Sequence, residues 1–383
     1  MLKNKGYWKA NDKYFDVKVN AILEAQSNDS EVTFHYNDQW WDQVDWTVEP
    51  NESLEELYLK RARDLRNKYK TLILRFSGGA DSMNIIKTFV DNNIKIDVII
   101  VNEYCELLNA DRFVIPSSAE KIIITMPFIR ELQKQGVEFE FLEVDNSILF
   151  PMLGDNVDWI FRFNMPRFLL VEFSSPRTVL HPKLQQYNNP DTCIISGVDK
   201  PQVWCRHNKI WTFEMPDITQ VLCDPGHSHI VQEPFYQSAD LPELVVKQCH
   251  VVKSYMKTHA DTIPVNNHNP YTTRMSEKKW LVPILYSKYY DFVPGTPLPY
   301  FNMPVPDSHR KYYPGPWGQA NPPGNGPYDR SVDYGIEKMS IYNTHLQGVC
   351  LADKLIHRRF KNLDSIFDGG LDEITTKPRW LGK

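Results

Sequence analysis

The stretch TLILRFSGGADSMNIIKTFVDNN, residues 71–93, passes through three kinds of local order. Thr71 to Phe76 is a short, almost continuous apolar run, the pattern of a strand covered on both faces in a parallel sheet. Ser77-Gly78-Gly79-Ala80-Asp81-Ser82 then turns the chain. Met83, Ile85, Ile86, Phe89 and Val90 recur at helical spacing until Asn92-Asn93 ends the pattern. Strand, glycine turn and helix N-terminus together form an anion site. Adjacent glycines let backbone N–H groups approach a phosphate, Ser77 and Ser82 add hydroxyl donors, and the helix dipole favours negative charge. Asp81 is the odd member, because a carboxylate beside phosphates needs a reason. Holding Mg²⁺ on the phosphate oxygens supplies one, and fixing the loop through its amides supplies another. A Ser/Gly turn that only caps the helix is the plainer alternative.

Working downstream, 94–103 (IKIDVIIVNE) reads as a second buried strand, 121–135 as a helix opened by Ser117-Ser118, and the alternation in 137–144 as a third strand. The order β-α-β-α-β predicts right-handed crossovers and a parallel sheet. The aromatics of 159–173 suggest a helix packed on that sheet. Residues 191–201 (DTCIISGVDKP) then give a short apolar strand ending in Gly197, Asp199 and Lys200.

The loop SGGADS resembles the SGGxDS pyrophosphate loop of the N-type ATP pyrophosphatases, a superfamily that includes the synthetase domain of asparagine synthetase. The similarity covers roughly residues 54–205. It implies an α/β fold of the adenine nucleotide alpha hydrolase type, with a parallel sheet of about five strands and helices on both faces. It also implies ATP and Mg²⁺ as cofactors, and cleavage between the α and β phosphates to adenylate a carboxyl or carbonyl oxygen. The backbone amides of Gly78, Gly79 and Ala80, with Ser77 and Ser82, would hold the β,γ-phosphates. The second motif is similar to the one after the fourth strand of synthetase-type members. There Gly197 and Asp199 would face the phosphates, Asp199 sharing Mg²⁺ with Asp81 and Lys200 meeting the pyrophosphate as a point charge. In this fold the tip of the second strand lies beside adenine and ribose, so Asn102 and Glu103 are expected either as nucleotide contacts or as loop caps.

The resemblance points to a ligase or amidotransferase-like enzyme that lets ammonia or an amine displace AMP. Sulfur transfer through a persulfide on Cys193 or Cys205 is the alternative, and a nucleotide-binding module without turnover is a third. Cys350, in GVCLAD, does not match the catalytic cysteine of the phosphoadenosine-phosphosulfate reductases, and no zinc-binding cysteine set is present. No cysteine follows Met1, so the glutaminase half of the asparagine synthetase type is not expected. Arg75, two residues before the loop, is unusual in a buried strand and suggests reach towards an acidic group or the ligand.

Composition bounds these readings. With 383 residues and a net charge of −5, the chain can bury a sizeable core and carries no overall basic field for nucleic acid. No apolar run approaches the roughly 18 residues a membrane span needs. The N-terminus lacks a signal-peptide core, and six scattered cysteines without a CxxC pair suit a cytoplasmic setting. The expected partner is a small-molecule or nucleobase acceptor, and a homo-oligomer is compatible with the chain. Three parts are expected: a small β-rich unit over 1–50, the ATP-binding domain over 51–215, and a helical, Pro-rich extension over 216–383. In the first part, Tyr14–Val19 and Val32–Tyr36 read as strands around a short helix at 20–26, and Trp40, Trp41 and Trp46 as a packed lid over the next helix, with base stacking as the alternative. A capping box at Ser53–Glu56 opens that helix. A hairpin is expected over 202–215, a helix from Pro242, and a last long helix over 339–360. Cys223, His227 and His229 are read as loop residues rather than a metal site.

Overall fold

The computed structural model describes residues 4–103, 121–154, 156–163, 177–197, 201–206, 210–215, 228–259, 273–275, 278–290, 294 and 376–382. Most of the Pro-rich extension beyond residue 290, the helix expected at 339–360, Cys223 and His227 lie outside these residues. Strands β1 (Gly6–Ala10), β2 (Lys13–Phe15) and β3 (Thr33–Tyr36) form an antiparallel sheet of order β2-β1-β3, with helix α1 (Lys18–Asn28) beside it. The expected strand through Val19 stops at Phe15. From Lys18 the chain is helical, because Val19, Ala21, Ile22 and Ala25 fall on one buried face. Helix α2 (Asp38–Trp41) follows, and both Trp41 and Trp46 are buried. Trp46 stacks on Phe213 at 5.2 Å between ring centroids, and both tryptophans lie in the same core cluster as Leu54 and Leu57 of the next helix, so they serve packing.

Helix α3 (Leu54–Lys68) opens with the expected capping box: Ser53 Oγ accepts from Glu56 N, and Ser53 N donates to the Glu56 carboxylate at 2.8 Å. Strand β4 (Thr71–Arg75), helix α4 (Ala80–Asp91) and strand β5 (Val98–Glu103) come next. A π-helical turn (Lys121–Thr125) then runs into helix α5 (Met126–Lys134), and strand β6 (Glu140–Asp145) follows. Short helix α6 (Trp159–Arg162) precedes strand β7 (Thr192–Ser196). The expected hairpin is present as β8 (Gln202–Arg206) and β9 (Ile210–Glu214), paired antiparallel. Strand β10 (Val231–Pro234), helix α7 (Pro242–Thr258), strand β11 (Thr273–Met275), helix α8 (Lys278–Leu285) and strand β12 (Arg379–Trp380) complete the described chain.

A five-stranded sheet of order β10-β7-β4-β5-β6, parallel throughout, is the centre of this α/β fold. Its strands alternate cleanly between two cores, as period-two side chains must. Leu72, Leu74, Ile99, Val101, Cys193 and Ile195 pack with α3, α4, α5 and α7. Ile73, Val98, Ile100, Val144 and Ile194 face the other way, against Val179 and Leu184 of two short 3₁₀ turns. The fifth strand, β10, comes from the part of the sequence assigned above to the C-terminal extension. It carries Glu233 into the larger core side, only 3% exposed. That carboxylate meets Arg61 Nη2 at 3.1 Å, Lys68 Nζ at 2.8 Å and the Tyr69 hydroxyl at 2.7 Å, as a buried charge requires. A third sheet, antiparallel and of order β11-β8-β9-β12, draws 376–382 onto the hairpin. Arg379 there binds Asp38 at 2.7 Å and also Asp42, which ties this segment to the N-terminal unit.

Candidate functional site

In the order β10-β7-β4-β5-β6 the chain starts at β4, moves to one side through β5 and β6, then returns to the other through β7 and β10. The reversal lies between β4 and β7, and ligands of open α/β sheets bind at the carboxyl ends of such strands. The SGGADS loop leaves β4 there, and Gly197 leaves β7 beside it. The two meet directly: a Cβ on Gly197 would lie 3.1 Å from Asp81 Cβ and 3.2 Å from Ile85 Cδ1. Glycine at 197 is what lets the loops approach so closely. Asp199 and Lys200 lie outside the described residues.

The loop is held by its own side chains. Gly78 has φ +86°, in the left-handed region that favours glycine. It is buried beneath Thr125, whose Oγ1 donates to Ser77 O at 2.8 Å. Ser77 Oγ accepts from Gly79 N at 3.2 Å, and Ser82 Oγ accepts from Ser77 N at 3.3 Å while donating to Gly79 O at 3.0 Å. Gly79 is the extended N-cap residue of α4, and the first intrahelical bond is Met83 N to Gly79 O at 2.9 Å. The N–H groups of Ala80, Asp81 and Ser82 are therefore first-turn donors without an intrahelical acceptor, at the positive end of a 12-residue helix. That donor set fits an anion. The two serines, expected to reach the anion, are seen bracing the turn.

Asp81 is held from beneath by residues that sequence reading did not single out. Tyr286, just after α8, donates its hydroxyl to Asp81 Oδ1 at 2.5 Å. Tyr236, just after β10, donates to the Asp81 carbonyl at 2.8 Å and accepts from Asn84 Nδ2 at 3.0 Å. Both phenols are pushed well above their ordinary range, first by burial and then by the Asp81 carboxylate, so they stand as O–H donors. A carboxylate offers about four lone-pair positions, so one phenol bond does not exhaust its capacity for a cation. The only signal in the sequence is the density of tyrosines in 286–290, which says nothing about a partner 205 residues away.

On the opposite face of the sheet, at the same carboxyl edge, two further polar groups stand out. Asn102 follows Ile100 by two residues and Ser196 follows Ile194 by two, so all four side chains share the smaller core's face. Among the described residues, Asn102 Oδ1 and Ser196 Oγ are buried without a hydrogen-bond partner. Buried polar atoms are normally paired, so orphans at a sheet's carboxyl edge invite a ligand's polar groups. Asn102 thus keeps its place as a contact candidate, and Ser196 joins it. Glu103 ends β5 opposite Asp145. Cys193, by contrast, is sealed in β7, its thiol pushed up first by burial and then by Glu233, the reverse of what a nucleophilic sulfur needs. Among the described residues no group of three or more His, Cys, Asp or Glu side chains converges as a metal site, and no helix is long and apolar enough to cross a membrane.

No family model, no curated protein and no solved structure matches this chain.

Proposed function

We propose that the chain is an ATP pyrophosphatase-type enzyme of the adenine nucleotide alpha hydrolase-like class. In this reading the acceptor's carboxyl or carbonyl oxygen attacks the α-phosphorus of ATP, the α–β bond breaks, and pyrophosphate leaves. Ammonia or an amine then displaces AMP from the activated carbon. One observation carries the reading: the SGGADS turn, with Gly78 at φ +86° and a helix N-terminus behind it, sits where the strand order reverses, with Gly197 packed on Asp81. The first-turn amides of α4 would hold the β,γ-phosphates, and Asp81 would hold Mg²⁺ with Asp199 as its partner. Mg²⁺ would offset charge on the leaving pyrophosphate, as Lys200 would. Asn102 and Ser196 offer polar contacts for nucleotide or acceptor. The sealed thiol of Cys193, pushed up by burial, disfavours that residue as a persulfide carrier.

The deciding experiment is product analysis with ATP across a panel of carboxylates, nucleobases and tRNA. AMP and pyrophosphate are the expected products, with turnover lowered about a hundredfold by Asp81→Asn or Asp199→Asn. ADP and phosphate as main products would sink the assignment, and an unaffected Asp199→Asn would reduce the second motif to a turn.

A further inference from the structure

We propose that Tyr286 is a positioning residue that fixes the Asp81 carboxylate for its cation, so that competence of the loop depends on the segment 278–290. The inference rests on the reading of Asp81 as a Mg²⁺ ligand. Its basis is a clamp. Asp81 sits in the first turn of α4, where the backbone fixes Cα but leaves the side chain its own torsions. On one side stands Gly197, close enough that any Cβ would press on Asp81 Cβ. On the other, the Tyr286 hydroxyl takes one carboxylate oxygen at 2.5 Å, the short distance of a charge-assisted bond.

Tyr286 is itself immobilised. It is 1% exposed, and its ring packs on Tyr236 at 5.5 Å, which in turn meets Tyr58 edge-on at 5.6 Å. The Tyr58 hydroxyl donates to Leu285 O at 3.1 Å, pinning the residue before Tyr286 to α3. A mere need to satisfy a buried phenol is met by any acceptor, including a backbone carbonyl, as Tyr236 and Tyr58 show. Of these three tyrosines, Tyr286 is the one that donates to the carboxylate. Its acceptor is Oδ1, which leaves the orientation of the whole carboxylate defined rather than averaged over rotamers.

The test uses the full chain and calorimetric binding of ATP, with excess EDTA or with Mg²⁺ titrated in. Tyr286→Phe keeps the ring and removes the donor. It should raise the Mg²⁺ concentration for half-maximal Mg·ATP binding by about tenfold, the range for a hydrogen bond to a charged group. ATP affinity in EDTA should stay within about twofold. Tyr236→Phe removes a bond of the same kind to the Asp81 carbonyl and should lower stability without moving the Mg²⁺ requirement. An unchanged Mg²⁺ requirement in Tyr286→Phe, alongside a shifted one in Asp81→Asn, overturns the clamp while Asp81 keeps its role. If Asp81→Asn shifts nothing, Asp81 is no ligand and the clamp falls with it. An equal shift in Tyr236→Phe also overturns the proposal, since general loosening then explains it. Independently of any variant, amide hydrogen exchange over 278–290 should slow with Mg·ATP and not with ATP in EDTA. No difference between the two counts against the coupling.

Discussion

Gly78→Ala tests the loop as geometry, independently of any ligand. At φ +86° a Cβ is strained by about 1–2 kcal/mol. The added methyl also runs into Thr125 Oγ1 and lies 3.3 Å from Thr125 N and 3.4 Å from Ile124 Cγ2. Making room displaces a hydroxyl that donates to Ser77 O at 2.8 Å, and overpacking of this kind costs about 1–3 kcal/mol. The two contributions together predict a loss of about 2–5 kcal/mol, read as a lower urea midpoint at constant slope. They separate in a double-mutant cycle. In a Thr125→Ala background the colliding oxygen is gone, leaving backbone strain of about 1–2 kcal/mol and the contacts at 3.3 Å with residue 125 N and 3.4 Å with Ile124 Cγ2, so adding Gly78→Ala should cost less than it does in the parent. A Gly78→Ala protein within about 0.5 kcal/mol of the parent would refute the strain argument. An equal cost in both backgrounds would refute the collision.

Two further outcomes follow from buried and half-buried charges. Arg61→Ala removes the most buried partner of Glu233 and should cost about 3–5 kcal/mol in denaturant unfolding, although Lys68, Tyr69 and Asn4 remain beside the carboxylate; a loss under about 1 kcal/mol would show that those three suffice. The carboxyl of Asp97 is pushed up by burial, but bonds from Arg66 and the Leu72 N–H outweigh this and hold it below its ordinary 3.8. The unfolded chain therefore binds the proton more readily, so the contribution of Asp97 is whole above the ordinary value and fades as pH falls through the folded one. The stability gap between parent and Asp97→Asn should accordingly narrow on acidification from about pH 7 to about pH 3; a constant or widening gap contradicts the assignment.

What the sequence made legible was what local chemistry decides. An apolar run, two glycines and a helical stripe locate β4, the loop and α4 within a residue or two. Ser53 and Glu56 announce α3 because both halves of the capping box are local. β10 was not legible. Val231-Gln232-Glu233-Pro234 is four residues with a charge and a proline, the composition of a loop. As a buried strand it depends on partners far away in sequence: it pairs with β7, and Arg61 and Lys68 of α3, 172 and 165 residues away, meet Glu233. The same holds for the Asp81 environment: SGGADS marks the aspartate, while its tyrosine partners come from segments whose local pattern gives no hint of it. The β1 strand was missed because Trp8 and Ala10 face inward from a stretch whose intervening residues, Tyr7 and Lys9, are partly covered as well.

The bond between Arg379 and Asp42 bears on how the protein is made. The two residues stand 337 apart, so on a ribosome the turn at 38–42 is synthesised long before its counterion exists. Protein synthesis at about 5–20 residues per second puts the interval at roughly 20–70 seconds. During that time Asp38 and Asp42 lack their arginine, and β9 lacks β12 as a neighbour. Early-made domains commonly fold while the rest of the chain is still emerging. Here the N-terminal sheet can form early, while Asp38 and Asp42 gain their arginine only when residue 379 arrives.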